Sequence, residues 1–197
     1  MKGREAAYIL NNSESKILFS LKTFLGTDYF KLLENEDLPY LKYQISLDEI
    51  EATDSKILFS TLKENTLDVQ LPEVIETDMA DIIFTSGTTG KPKGVISSHL
   101  QNIKVFDYWS TYIGLKENDR YLIVNPFFHT FGYKAGWLAS VMRGVTAYPC
   151  PIFDADQIIQ IINKEKISML PGPPTLYQSI LTSQLIETMD ISSLRLG

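Results

Sequence analysis

The sequence predicts an α/β fold: layered, mainly parallel sheets flanked by helices. Two observations predict it. Short apolar runs of strand length alternate with helical patterns through the chain. Proline ends two of the strand runs, Tyr121–Val124 at Pro126 and Ile167–Leu170 at Pro171, and glycine ends two of the helices, at Gly114 and Gly144.

The elements follow in order. Arg4–Asn11 has a helical pattern and Lys16–Phe19 is a short apolar strand. Asp28–Leu33 reads as a short helix and Tyr40–Ile45 as a strand. The string Ser-Lys-Ile-Leu-Phe-Ser occurs at 15–20 and again at 55–60, and is read as two similar strands. Glu64–Asp78 is acidic, aperiodic and interrupted by Pro72, as expected of a surface connection. Asp81–Phe84 and Val95–Ser97 are strands, and Ser98 caps a helix with Leu100, Ile103, Phe106, Trp109 and Ile113 on one face. Gly114 stands at its C-cap. Tyr121–Val124 is a strand, Tyr133–Met142 a helix stopped by Gly144, and Val145–Tyr148 a strand. Asp154 and Gln157 resemble a capping box before a helix rich in Ile. Ile167–Leu170 is a strand broken by Pro171-Gly-Pro-Pro174, a helix starts at Thr175, and Leu194–Gly197 begins a last strand.

Composition bounds the function. A net charge of −6 with scattered basic residues argues against nucleic-acid binding. The lone Cys150 excludes an internal disulfide and fits a reducing, cytoplasmic setting, where it reads as an apolar filler. No apolar run approaches the ~20 residues of a membrane span, and residues 1–8 lack the apolar core of a signal peptide. With one cysteine, His99 and His129 cannot build a Cys/His zinc site. His99 reads as a surface or capping residue at a helix start.

The segment Thr85-Ser86-Gly87-Thr88-Thr89-Gly90-Lys91-Pro92-Lys93-Gly94 carries the chemistry. Its glycines let backbone N–H groups form an anion nest, its hydroxyls donate, and Lys91 and Lys93 add charge. That is a polyphosphate site. It is not a Walker A loop, because Thr85 stands where the first glycine belongs and Pro92 follows Lys91. A plain Gly/Thr turn is the competing reading. Ser13–Lys16 fits Ser-x-x-Lys, but without its companion motifs it reads as a turn.

With Asn125-Pro-Phe-Phe-His129-Thr-Phe-Gly132 and Leu170-Pro-Gly-Pro-Pro-Thr175, this loop resembles the adenylate-forming superfamily of acyl-CoA synthetases, adenylation domains and luciferases. Phe24–Tyr29, Asp119–Pro126 and Pro171–Ser179 resemble, within it, bacterial hydrindane-propanoate–CoA ligases of steroid-ring degradation. The resemblance implies a partial N-terminal AMP-binding domain over residues 1–197, with a lead-in at 1–79 and a phosphate-loop and acyl-site region at 80–197. It implies ATP, Mg²⁺ and CoA, with a carboxylic acid as substrate. Thr85, Ser86, Gly87, Thr88, Thr89, Gly90, Lys91 and Lys93 would bind nucleotide, and Thr85 would also face Mg²⁺. His129 would be the catalytic-site residue, positioning acyl carboxylate and α-phosphate rather than moving a proton. Phe131, Tyr133, Gly136, Trp137, Gly172 and Pro173 would line the acyl and pantetheine path.

Beside this, the residues keep their own readings. Pro126, Phe127, Phe128 and Phe131 are expected to desolvate His129 partly, or it is a satisfied core histidine. Gly136 leaves room for substrate, or permits close helix packing. Tyr133 and Trp137, four apart, form a flat apolar wall, or are core. The three motif loops each follow a strand, so they are expected to meet at the carboxyl ends of a parallel sheet.

The sequence lacks the Tyr-x-x-Thr-Glu, ribose aspartate and C-terminal-domain lysine that the family's chemistry uses, so the C-terminal domain is expected to be absent and this chain alone inactive. A non-catalytic nucleotide- or acyl-binding module, and an adenylation domain loading a carrier protein, are the other function classes.

Overall fold

The computed structural model describes residues 3–64, 69–85 and 91–197. They form two compact units, residues 1–74 with 84–95 and residues 75–83 with 96–197.

In the first unit, α1 (Gly3–Asn12) precedes β1 (Ile17–Ser20), β4 (Tyr43–Ser46) and β5 (Lys56–Leu58). These three pair in parallel in the order β1-β4-β5. Between them, β2 (Thr23–Phe24) and β3 (Thr27–Asp28) form an antiparallel hairpin, with Gly26 at positive φ. The helix expected over Asp28–Leu33 is therefore shorter. Asp28 pairs in β3, its carboxylate accepts from the Lys31 N–H, and only Lys31–Leu33 forms a 3₁₀ turn. Ala7, Leu10, Phe30, Leu33 and Ile45 make the core.

The repeated hexapeptide adopts two structures. Its first copy continues as a strand through Ser20, paired with β4 as far as Ser46. The second pairs only over Lys56–Leu58, and Phe59 opens helix α2 (Phe59–Lys63). β4 ends at Ser46, opposite Leu58, so Phe59 has no strand to continue along.

In the second unit, β8 (Arg120–Ile123) pairs in parallel with β9 (Thr146–Pro149). The strand expected over Ile167–Leu170 narrows to Met169, bridged in parallel to Tyr121 on one side and Leu196 on the other. Pro171 and Pro173 have no N–H to extend that ladder. Because side chains alternate along a strand, Leu122 enters one core cluster while Tyr121 and Ile123 enter another. Helices α5 (Ala155–Glu165) and α6 (Pro174–Thr182) cover the first side with Ile158, Ile159, Ile162, Leu176 and Ile180. Burying each such side chain contributes about 1.5–3 kcal/mol. Asp154 caps α5 by accepting from the Gln157 N–H at 2.8 Å. The second side holds Leu115, Ala139 and Met169, with Trp109 and Ile113 packed on them.

α3 (His99–Tyr112) starts in a full capping box between Ser98 and Gln101 and ends before Gly114, which takes positive φ. Its buried face differs from the apolar stripe expected. Ile103 is exposed, while Asn102 and Ser110 are buried because charged side chains from the next helix need acceptors there. That helix is also unlike its expectation. Phe131–Leu138 is π-helical and only Ala139–Arg143 is α-helix (α4), closed by Gly144 at positive φ. Arg143 donates to Ser110 Oγ at 2.8 Å and Asp107 Oδ1 at 2.7 Å, fastening α4 to α3.

β6 (Met79–Thr85) and β7 (Lys93–Ser98) form a two-stranded sheet that carries the phosphate-loop sequence. Among the described residues, no helix is long and apolar enough to cross a membrane.

Candidate active site

Two of the three motif loops meet. The loop after β8 reaches the loop after Met169 through Asn125, whose Nδ2 donates to Pro171 O at 3.2 Å. The partner loop is itself fixed. Tyr177 OH donates to Leu170 O at 2.8 Å and accepts from the Gly172 N–H at 3.2 Å. Both loops leave the carboxyl ends of parallel strands, where open α/β sheets bind ligands.

Clefts flank this contact. One of about 420 Å³ is lined by Asn125, Pro126, Phe153, Pro173, Thr175 and Ser179, among others. Another of about 300 Å³ is lined by Asn125, Phe127, Phe128, Pro149, Cys150 and Pro151, among others. Pro173 thus faces a cleft, whereas Gly172 packs on Leu176, whose Cδ1 lies 2.8 Å from where a Cβ would stand. Burial pushes the Cys150 thiol up, the backbone of Ile152 opposes this in part, and the charge of Asp154 adds to the rise.

His129 is exposed, not desolvated as expected. The aromatic rings named around it turn elsewhere: Phe128 is 84% exposed and Phe131 stacks edge-on against Trp109, 6.0 Å between centroids. The imidazole is nevertheless oriented. Nδ1 accepts from the Phe131 N–H at 3.1 Å, so in the neutral ring Nε2 carries the proton. An Nε2–H donor suits a carboxylate or phosphate oxygen better than it suits a base.

Beyond His129, the π-helical turn packs backbone on backbone. A Cβ on Gly132 would lie 2.3 Å from Asn125 O, so only glycine fits. The space expected beside Gly136 is filled, since a Cβ there would meet Ile123 Cγ2 at 2.9 Å. The missing side chain serves close packing, not a substrate pocket. Tyr133 and Trp137 do stack, at 5.9 Å and 15°, with Trp137 half exposed. Burial raises the Tyr133 phenol, and the charge of Asp81 adds to it.

Of the phosphate loop, Ser86, Gly87, Thr88, Thr89 and Gly90 lie outside the described residues. Thr85 and Lys93 face each other, with Thr85 Oγ1 donating to Lys93 O at 3.4 Å. Tyr8 OH donates to Pro92 O at 3.2 Å. Lys91 and Lys93 are exposed, available to an anion. This stretch belongs to the first unit and His129 to the second. Among the described residues no three His, Cys, Asp or Glu side chains gather to hold a metal.

The residue that sequence reading missed is Lys134. It is buried, and its Nζ donates to Asp81 Oδ1 at 2.9 Å, Asn102 Oδ1 at 2.7 Å and Ser97 Oγ at 3.2 Å. Asn102 Nδ2 in turn donates to Asp81 Oδ2 at 2.6 Å. The one available signal was a lysine placed inside the apolar run Phe131-Gly-Tyr-Lys-Ala-Gly-Trp-Leu138.

Known proteins resemble this chain in sequence and in fold. The family described as AMP-binding enzyme matches residues 1–197. A methyl-dioxo-octahydroindenyl-propanoyl:CoA ligase of Rhodococcus jostii (strain RHA1) is 37% identical over 98% of this chain and 40% of its own length. The ligase of the same name from Mycobacterium tuberculosis is 39% identical over 97% of this chain and 38% of its own length. The chain thus spans well under half of these relatives. An inhibitor-bound crystal structure of the N-terminal domain of FACL13 from Mycobacterium tuberculosis superposes with a TM-score of 0.81 at 26% identity, over 99% of this chain and 47% of that one.

Proposed function

Because this chain belongs to the AMP-binding enzyme family, matched over residues 1–197, we propose that the ligase carrying it activates a carboxylic acid with ATP and transfers the acyl group to CoA. In the first step a carboxylate oxygen bonds to the α-phosphorus, and the bond to pyrophosphate breaks. In the second, the CoA sulfur bonds to the acyl carbon and AMP leaves. Both steps bring anions together, so charge neutralisation and orientation dominate. Lys91 and Lys93 offer charge, with Ser86, Gly87, Thr88, Thr89 and Gly90 as further donors to phosphate and Thr85 as a ligand for Mg²⁺. Bound Mg²⁺ would supply further charge on the phosphates. His129 would orient carboxylate and α-phosphate oxygens through Nε2–H. Tyr133 and Trp137 present a flat apolar surface to the acyl group, with Pro173 along the cleft.

One observation carries the reading: Asn125 joins two motif loops beside a cleft at the carboxyl ends of parallel strands. The two relatives named as ligases of a fused-ring propanoate favour a bulky cyclic acid, and with it steroid degradation. A free Cys150 suits a cytoplasmic enzyme. The test is acid-dependent ATP–pyrophosphate exchange and CoA thioester formation by the full-length ligase, with a hydrindane propanoate against acetate and octanoate. No exchange with any acid overturns the activity. A linear acid preferred by about tenfold, near 1.4 kcal/mol, overturns the substrate class alone.

A further inference from the structure

Lys134 sits where four elements converge. It rises from the π-helical turn that follows His129, meets Asp81 of β6 and Ser97 of β7, and meets Asn102 of α3. All four residues belong to the second unit. An ammonium has three N–H donors, and each has an acceptor here. Both carboxylate oxygens of Asp81 are used as well, one by Lys134 and one by Asn102. The lysine side chain is 5% exposed and the aspartate 13%. A buried ion pair of this kind is a weak source of stability, since apolar residues of similar volume often do as well; its known advantage is that it fixes one arrangement. What it fixes here is specific. β6 and β7 are the strands between which the phosphate-loop sequence runs, and the π-helical turn bears Tyr133 and Trp137. π turns occur mostly as single insertions and often at functional sites.

We propose that Lys134 is a positioning residue, locking the base of the phosphate-loop hairpin and α3 to the helix that follows His129. Its kinetic consequence rests on the ligase reading; the mechanical coupling does not. The lysine touches no reacting atom. It acts by holding the two strands and the helix in one register, so that both motif-bearing elements keep a fixed mount through the reaction.

The experiment uses the full-length ligase with two variants. The first combines Asp81→Leu, Asn102→Leu and Lys134→Met, removing the charges together with their partners. The second is Ser97→Ala, which frees only β7 and leaves the ion pair intact. Arg143→Met is the control: it loosens α4 from α3 without touching β6 or β7. Amide hydrogen exchange is read over 79–83, 96–99 and 131–140, and ATP–pyrophosphate exchange gives kcat and KM. The triple variant should exchange about tenfold faster in the strands and the helix together. Its kcat per folded molecule should fall about tenfold, with KM for ATP and acid within about twofold. Ser97→Ala should lower kcat about threefold, with only a small fall in melting temperature because one Lys134 N–H loses its acceptor. In the triple variant, protection lost in only one of the segments overturns the proposal. So does a folded variant whose kcat stays within about twofold of wild type, or an equal fall in Arg143→Met. Should the wild-type protein show no pyrophosphate exchange, the ligase reading fails by itself, and hydrogen exchange still decides the coupling.

Discussion

Lys134 and the loop lysines Lys91 and Lys93 carry the same ammonium group into opposite surroundings. Lys134 is buried with every donor paired. Lys91 and Lys93 stand in solvent beside a glycine- and hydroxyl-rich stretch. Burial with complete pairing commits a charge to architecture, because moving it would strand Asp81. Exposure beside a glycine-rich sequence leaves a charge for a ligand. A mutation should therefore cost stability as well as rate at Lys134, and rate alone at the loop lysines.

The largest effect is expected at Lys134. Changing it alone to Met leaves Asp81 charged and unpaired, at a cost of about 3–5 kcal/mol. In thermal denaturation that is a fall of roughly 6–20 °C for a domain of this size. Lys91→Ala should change stability by no more than about 0.5 kcal/mol, as for most surface positions. It should instead cut pyrophosphate exchange by more than about tenfold, since a charged hydrogen bond contributes about 1.5–3 kcal/mol. The comparison breaks if Lys91→Ala melts early, or if Lys134→Met melts with wild type.

Gly132→Ala sharpens the same contrast within the helix that holds Lys134. The added methyl would overlap Asn125 O and Pro126 O, both backbone atoms. Overpacking of this kind costs about 1–3 kcal/mol. The displaced loop is also the one that contacts Pro171. Melting temperature and the KM for the acid should move together, and a variant that melts normally removes Gly132 from the packing argument.

The difference between the lysines also marks what sequence can reveal. Apolar periodicity and end signals located the longer strands of both units but not the β2–β3 hairpin, and they found the cap at Ser98 and the stops at Gly114 and Gly144, because each of these is set by a few neighbouring residues. The phosphate-loop composition was legible for the same reason. Partner-dependent features were not. Phe19 and Phe59 hold the same place in identical hexapeptides, yet one lies in a strand and one in a helix, because β4 stops opposite Leu58. Their rings then meet edge-on at 6.2 Å. Asn102 and Ser110 lie off the apolar stripe of their helix, yet both are buried because Lys134 and Arg143 reach them from another helix. Aromatic neighbours along the chain suggested a sheltered His129, but Phe131 turns to Trp109. Gly136 reads equally as an opening or as a close packing contact, and the contact with Ile123 bears out the second.

A second buried charge gives the smallest and most diagnostic test. Asp119 is buried. Burial alone would raise its carboxyl, but Arg195, the Lys116 N–H and Ser168 donate to it and outweigh that, so its pKa falls below the usual value. A carboxyl lowered on folding stabilises the protein above its unfolded pKa of about 3.9. That contribution is lost as pH drops through the lowered folded value. Its partner Arg195 keeps a third of its side chain in water, so solvent screens the pair and the effect should be smaller than at Lys134. Arg195 also donates to Gly114 O at 2.9 Å, which ties the last strand residues to the end of α3. Thermal denaturation at neutral pH and in acid should show wild type losing stability as pH falls below about 4, with Asp119→Asn less stable at neutral pH but flatter in acid. Parallel profiles for the two proteins would mean that Asp119 keeps an ordinary carboxyl, and that Lys134 is the buried charge on which this unit depends.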